Sequence, residues 1–329
     1  MEFHLTREQA AIQDAVRGTL ARTWPMERIH AFADGEADFD PESWGALMGL
    51  GLGGILAPEA GMGLLEAALV CEVAGEAAAA GPLIGQLLAV AAVAASASGG
   101  DHLEALISGE TVATLVHGGS AFAPCARAAD MFLIVDRDAG VRLVRAADVA
   151  IERVKATDRS RPVSKVKIAD EAGEQLFASD HLMTARLADA ALVLVAADAL
   201  GGAQKVTDVS VAYAKEREQF GQPIGRFQAL KHQLAHMALD VEPARALVWY
   251  AAYAWDAKLP DAPRAAAMAK AHLCDVYVRA TRAAIAAHGG IGYTWEYGLN
   301  YWFRRAVADR AWLGSPAEHR ARAAALAGW

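Results

Sequence analysis

Two short segments contain residues that could contact a ligand. In the segment Tyr213 to Met237, which reads YAKEREQFGQPIGRFQALKHQLAHM, Arg217 keeps its charge at physiological pH and offers a fork of donors suited to pyrophosphate. The second segment is His288-Gly289-Gly290, whose glycines permit a close approach to the backbone. Each segment also has a simpler interpretation, because most arginines are solvated surface cations and glycines commonly end helices.

The elements around the first segment would bring its polar residues together. Pro223 and Gly225 stop one helix and allow the next to begin. Arg217, at the end of the first helix, and Gln228, in the opening turn of the second, can therefore face a common pocket. Apolar residues at helical spacing indicate the second helix: Leu230, Leu234, Met237, Val241, Ala244 and Val248. Pro243 predicts a kink there rather than a break, because the apolar spacing continues beyond it.

Taken together, the two segments resemble the flavin-dependent acyl-CoA dehydrogenase family. The pattern is R-x-x-F-G-x-P-I-x-x-F-Q-x-x-x-H, followed about 70 residues later by the run from His288 to Thr294. The resemblance covers nearly the whole chain, weakly in the middle. It implies FAD as cofactor, an acyl-CoA thioester as substrate, and oxidation between Cα and Cβ.

The resemblance also implies which residues contact FAD. These are the side chains and backbone groups that match the family motifs: Arg217, Phe220, Gln228, His288, Gly289 and Gly290. In the family they belong to the half of the site that one subunit supplies to the neighbouring subunit's flavin, so an oligomer is implied. Ala286 stands where many members have Gln, so one adenine-side contact is not expected.

The family's catalytic carboxylate has no counterpart at either of its two known positions. The reaction needs a carboxylate that removes the α-proton while the β-hydride goes to the flavin. Counting along the motifs, these positions are Leu313 and Ala191, and neither side chain can accept a proton. The nearest carboxylates, Asp189, Asp309 and Glu318, lie two or more positions away and are expected to face solvent. No catalytic residue is therefore predicted, and a relocated base among these three stays as an alternative.

The middle of the chain departs from the family as well. The T-E-x-x-x-G-S-D loop and the W-I-T strand, which hold the flavin ring and the thioester in the family, have no recognisable counterpart between Thr111 and Phe177. The nearest segment, Leu115 to Ser120, lacks the acidic and hydroxyl pattern. The ring half of the cofactor site is therefore expected to be damaged, while the adenine half is largely kept.

Periodicity divides the chain into three predicted domains. Residues 1–110 form an N-terminal helical domain, 111–178 a reduced middle β domain, and 179–329 a C-terminal four-helix bundle with the adenine-side and oligomer contacts. The fold class is therefore mainly α, with a small antiparallel β unit. Its strands are predicted at 112–116, 131–136, 141–145 and 163–168. Its thin core should lean on the helical bundles for stability.

Local signals predict most helix ends. Thr6 with Gln9 forms a capping box for a first helix to Thr23, and Asp40-Pro41 starts another. Ser179-Asp180 is expected to cap a long helix. Further helices are predicted at 64–80, 82–98, 102–107, 181–215, 226–257 and 262–287, with a final pair after Tyr293. The glycine-rich stretch 51–63 is interpreted as a loop, because the lysine of a phosphate-binding loop is missing.

Composition excludes several classes of function. Of the 329 residues 54% are hydrophobic and 21% charged, which is typical of a folded helical protein, and the net charge of −8 argues against nucleic acid. No stretch reaches 18 apolar residues and no secretory segment begins the chain, so a cytoplasmic protein without a membrane span is expected. Cys71, Cys125 and Cys274 should be reduced, buried and inert. No set of metal ligands is predicted.

Three readings follow from these observations. The favoured one is an acyl-CoA dehydrogenase subunit that supplies half of a FAD site to a longer homologous chain, which carries the flavin ring and the catalytic Glu. Such mixed enzymes occur in the family in bacterial breakdown of bulky acyl-CoA, including steroid side chains and rings. The second reading is a self-contained homo-oligomer with a relocated base. The third is an assembly protein that has lost FAD, against which the retained Arg217 and Gln228 argue.

Overall fold

The N-terminal part of the chain is helical. The computed structural model describes residues 4–96, 100–169 and 171–329. Its first six helices are α1 (Arg7–Thr23), α2 (Met26–Asp34), α3 (Pro41–Met48), α4 (Leu64–Glu76), α5 (Leu83–Ala95) and α6 (Leu103–Ser108). The capping box of Thr6 and Gln9 and the Asp40 cap are confirmed. The helix predicted to reach Ala80 ends at Glu76, and the predicted end at Ser98 lies outside the described residues.

The middle of the chain folds into two small sheets. The strands are β1 (Ala113–His117), β2 (Phe122–Pro124), β3 (Met131–Asp136), β4 (Gly140–Arg145), β5 (Val149–Arg153), β6 (Val163–Ile168) and β7 (Glu174–Phe177). One sheet has the order β1-β3-β4-β7, and the other β2-β6-β5. The prediction of a purely antiparallel unit was wrong in one place, because β1 and β3 pair in parallel. The chain between them adds β2 to the other sheet and returns in the original direction.

The first sheet packs against the helices, as predicted from its small size. Leu115 on β1, Leu133 on β3 and Leu143 on β4 belong to the same buried core as helices α4, α5 and α7. The alternate residues of these strands, such as Phe132 and Val144, pack into a small separate core with the second sheet. The β unit therefore has a fixed position against the helices.

The C-terminal part is a helical bundle around a helix whose middle is fully buried. It contains α7 (Leu182–Glu216), the two-stranded hairpin β8 (Glu218–Gln219) and β9 (Gln222–Pro223), then α8 (Gln228–Asp256), α9 (Ala262–His288), α10 (Leu299–Ala311) and α11 (Pro316–Leu326). Every residue of α7 from Leu187 to Ala203 is buried. The fold class predicted from sequence is confirmed, while the three domain borders remain predictions.

Two local predictions in this bundle have different outcomes. The cap of α7 was assigned wrongly to Ser179-Asp180, since the imidazole of His181 accepts from the backbone of Met183 at 3.1 Å. Pro243 lies inside α8 without breaking it, as expected, while the kink at this residue stays a prediction. In the described ranges, no helix is both long enough and apolar enough to cross a membrane.

Candidate functional site

The hairpin after α7 presents the first motif to solvent. Arg217 follows the last residue of α7, and its N–H donates to the carbonyl of Tyr213 at 2.8 Å. Phe220 and Gly221 both have positive φ, of 55° and 76°, which form the tip of the β8–β9 hairpin. Phe220 is 92% exposed, and Gln228 is exposed at the start of α8. The motif therefore forms an outward-facing loop between α7 and α8.

The second motif lies at the end of α9, against the first. The ring of His288 stacks on Tyr213 with centroids 4.3 Å apart, one helical turn before Arg217. Burial lowers the pKa of His288, and its neutral ring donates from Nδ1 to the Ala284 carbonyl at 2.7 Å. His288 is thus a buried anchor rather than an exposed contact. It brings two segments about 70 residues apart in sequence to one end of the bundle.

The glycines after this anchor leave their backbone open. Gly289 caps α9 with φ of 63°, and a Cβ on Gly289 or Gly290 would meet nothing within 4 Å. Both residues are exposed. Nothing in the described chain therefore occupies the space next to this backbone.

The polar side chains of the first motif have few partners within the described residues. Within the described ranges, the guanidinium of Arg217 has neither a hydrogen bond nor an ion pair to another residue, and Gln228 contacts only His232, at 3.2 Å. A free guanidinium and an open glycine backbone, on segments that meet through Tyr213 and His288, are both chemically suited to an anion with several oxygen acceptors.

The two family base positions are apolar and lie elsewhere. Ala191 is fully buried in α7. Leu313 has φ of 63° and follows α10, where its carbonyl accepts from Nε2 of His319 at 2.8 Å. Leu313 lines a cavity of about 670 Å³ between the β unit and α10. Neither Arg217 nor Gln228 lines this cavity.

The three nearest carboxylates do not line the cavity beside Leu313 either. Asp189 and Asp309 were expected to face solvent, and that prediction was wrong, since both are buried. Asp189 accepts from Arg137 at 2.6 Å and Arg322 at 2.7 Å. Glu318 is exposed and closes the capping box of α11 with Ser315. None of these carboxylates lines the cavity beside Leu313.

Asp309 belongs to a buried ionic cluster that sequence analysis missed. It pairs with Arg161 of the β unit, while Asp198 of α7 accepts from Nε and Nη2 of Arg305 at 2.9 and 2.6 Å. Lys270 of α9 donates to the carbonyl of Asp309 at 2.9 Å. These five residues join the β unit to three helices of the bundle.

The pKa values of the two carboxyl groups in this cluster shift in opposite directions. Burial alone would raise the pKa of Asp198, but the charges of Arg305 and Arg161 outweigh burial and lower it to about 2. Burial raises the pKa of Asp309 to about 8, against the charge of Arg161 and together with repulsion from Asp198. Asp198 therefore carries the negative charge of the pair at neutral pH.

The remaining sequence predictions concern the middle segment and the cysteines. Leu115 to Ser120 forms the end of β1 and a following turn, and His117 and Ser120 line the cavity beside Leu313. All three cysteines are buried and free, as predicted. Burial raises the pKa of Cys125 and Cys274 to about 12, so these thiols stay protonated.

Comparison with known proteins identifies the family. A sequence model described as acyl-CoA dehydrogenase, C-terminal domain, matches residues 181–327. The chain is 30% identical to acyl-CoA dehydrogenase IpdE2 of Mycolicibacterium smegmatis, over 97% of this chain and 98% of that protein. The chain belongs to the acyl-CoA dehydrogenase family. The resemblance predicted from the two motifs is thereby confirmed.

Further matches agree with this assignment. The chain is 31% identical to acyl-CoA dehydrogenase FadE34 of Mycobacterium tuberculosis, covering 98% of this chain and 48% of that protein. Among solved structures, a Tcur3481-Tcur3483 steroid ACAD variant has a TM-score of 0.88 at 24% identity, with 98% of each chain covered. The ChsE4-ChsE5 complex from Mycobacterium tuberculosis has a TM-score of 0.87 at 24% identity, covering 98% of this chain and 97% of that one. At these identities the structures support the acyl-CoA dehydrogenase fold.

Proposed function

We propose that this chain is an acyl-CoA dehydrogenase subunit that supplies the diphosphate side of a FAD site to a longer homologous chain. That partner holds the flavin ring and the catalytic Glu. The observation that carries the proposal is the separation of the two half-sites. The Arg217 and Gly289 loops are exposed at one end of the bundle, whereas the cavity at the apolar base position Leu313 is lined by other residues.

The residues present fit a diphosphate. Arg217 offers charged donors, Gly289 and Gly290 offer unobstructed backbone, and the exposed amide of Gln228, which contacts only His232 among side chains of the described residues, lies at the start of α8. When bound, FAD supplies the hydride acceptor for oxidation between Cα and Cβ. In this proposal Arg217 and the glycine backbone neutralise and orient the phosphates. The stacked rings of His288 and Tyr213 hold the Arg217 loop and the Gly289 loop at the same end of the bundle.

The ring side of the site does not fit in the same way. The base positions are Leu313 and Ala191, and the Leu115 to Ser120 turn lacks the family's acidic and hydroxyl pattern. The reacting groups must then come from another chain. Two matched structures are described by a pair of names, Tcur3481-Tcur3483 and ChsE4-ChsE5, which supports a two-chain assembly. The first is described as a steroid enzyme, which supports a bulky acyl-CoA as the substrate class.

Flavin content tests this function directly. The chain purified alone should be colourless or contain well under one FAD per chain. Co-expressed with a full-length homologue from the same genome, starting with any encoded beside it, the complex should show a full flavin spectrum. Absorbance of FAD released from a known amount of protein gives the ratio. One FAD per chain in the protein purified alone would establish the self-contained homo-oligomer instead.

Replacing Arg217 by alanine should weaken FAD binding by the complex. A charge-assisted hydrogen bond contributes roughly 1.5 to 3 kcal/mol, or about one to two decades of affinity. Titration of the flavin-free complex with FAD measures the change. Arg7→Ala, which removes an exposed arginine from α1, is the control and should leave affinity unchanged. Equal affinities for Arg217→Ala and the unmodified complex would show that Arg217 is only a surface charge.

A further inference from the structure

Two histidines lie one helical turn apart on the exposed side of α8. His232 and His236 are both exposed, and both line an open groove of about 340 Å³ between α8 and α9. Residues four positions apart on a helix lie on the same face, with their Cβ atoms about 5 to 6 Å from each other. The two imidazoles therefore open into the same space.

Few protein groups compete for the nitrogen atoms of these two rings. Within the described ranges, the ring of His236 has neither a hydrogen bond nor an ion pair, and the ring of His232 contacts only the amide of Gln228, at 3.2 Å. Gln228 is itself exposed, so its amide can turn to solvent when the ring nitrogen takes another partner. Each neutral imidazole can then present a lone pair to an ion.

The charges around this groove do not repel a cation. Among the described residues that line it, Arg279 of α9 is the only arginine or lysine, and its Nε donates to Asp240 at 3.0 Å. Asp240 lies on α8 one turn after His236, so its carboxylate offsets the charge of Arg279 within the groove. Apart from these two residues and the histidines, the lining side chains carry no charge.

The spacing of the two rings suits a metal ion. Histidines at positions i and i+4 of one helix face can bind a single ion together, and imidazole suits Zn²⁺, Cu²⁺ and Ni²⁺. In the part of the chain that the structure describes, no group of three or more histidine, cysteine, aspartate and glutamate side chains could hold a metal. The protein therefore supplies two ligands, and water supplies the others.

We propose that His232 and His236 form a two-ligand binding site for a divalent transition-metal ion of the class Cu²⁺, Ni²⁺ and Zn²⁺. The bound ion links the second and third turns of α8. His232 is the last residue of the first family motif, but neither histidine of the pair is assigned to FAD. The metal site is therefore independent of the proposed function.

Titration of the flavin-free chain with Cu²⁺ at neutral pH tests the site. We expect the tightest Cu²⁺ site to show two imidazole nitrogens in its electron paramagnetic resonance spectrum, and Zn²⁺ to bind it more weakly than Cu²⁺. His232→Ala and His236→Ala should each weaken this binding at least about tenfold, because two ligands on one helix act at a high effective concentration. The cysteines are buried and do not compete.

Two control variants separate the pair from its single histidines. His236→Ala combined with Ala238→His keeps the number of histidines but turns the second ring to another side of α8, so it should bind Cu²⁺ as weakly as His236→Ala. His272→Ala removes an exposed histidine of α9 that has no histidine one turn away, and it should leave the affinity unchanged. Unchanged affinity in either single alanine variant of the pair would overturn the proposal. Tight binding by the relocated variant would overturn it as well.

Discussion

Replacing Arg305 by methionine is expected to lower the free energy of unfolding by about 3 to 5 kcal/mol, since it removes one partner of a buried ion pair. Arg305 is 2% exposed and holds both oxygens of Asp198. It also donates to the carbonyl of Ala79 at 2.9 Å and to Ser160 at 3.2 Å. Methionine leaves the charge of Asp198 buried without its principal partner. Urea denaturation followed by far-UV circular dichroism measures the loss.

An exposed ion pair supplies the control for this change. Arg279 contacts Asp240 at 3.0 Å with both side chains partly in solvent. Arg279→Met should cost only about 0.2 to 1 kcal/mol, because solvent screens the pair. The double variant Arg305→Met with Asp198→Leu should recover part of the loss by removing the unpaired charge. If Arg305→Met and Arg279→Met cost the same, the buried cluster does not hold the β unit to the bundle.

The helices that were predicted well have local signals. The Thr6 side chain and the Asp40 cap act within three residues, so their partners can be read from the adjoining sequence. The apolar spacing from Met237 to Val248 likewise predicts the buried side of α8. The sequence analysis missed His181 as the cap of α7 because Ser and Asp, which precede it, are preferred N-cap residues and histidine is not.

The errors concern contacts between distant parts of the chain. Asp189 and Asp309 look like ordinary surface carboxylates, and their arginine partners lie 52, 133 and 148 residues away in sequence. The parallel pairing of β1 and β3 depends on β2, a three-residue strand with little pattern of its own. One signal was present: Asp198 is the only charged residue between Asp189 and Lys205, and a lone carboxylate in an apolar helix predicts a buried partner.

The residues of the candidate diphosphate site were predicted mainly from motifs, and periodicity contributed less. Spacing placed Arg217 and Gln228 at neighbouring helix ends, and the structure adds that the His288 anchor touches the same end through Tyr213. That contact joins α7 to the end of α9, and nothing in the local sequence around either residue specifies it. The role of these residues toward FAD stays a prediction until flavin binding is measured.

Changing the partner's catalytic Glu to Gln is expected to lower turnover of the complex by roughly 10² to 10⁴, the usual loss when a general base is removed. The corresponding amides in this chain, Asp189→Asn, Asp309→Asn and Glu318→Gln, should each keep turnover within a few-fold. The reason is geometric, since none of these carboxylates lines the cavity beside Leu313. Turnover is measured per folded complex with an acyl-CoA substrate and an artificial electron acceptor.

The stability of each variant separates a lost base from a lost fold. Asp189 is buried and paired, so its amide should unfold at lower urea concentration. Asp309 has a pKa of about 8 and is mainly uncharged at neutral pH, so its neutral amide should change stability less. Exposed Glu318 should lose only its part of the cap. Leu313→Glu in this chain alone should create no activity, because a base without a positioned substrate gains nothing from proximity. One result would contradict the partner-subunit proposal. If the chain alone turned over an acyl-CoA with added FAD, and one of the three amides abolished that activity, the base would lie in this chain and no partner would be needed.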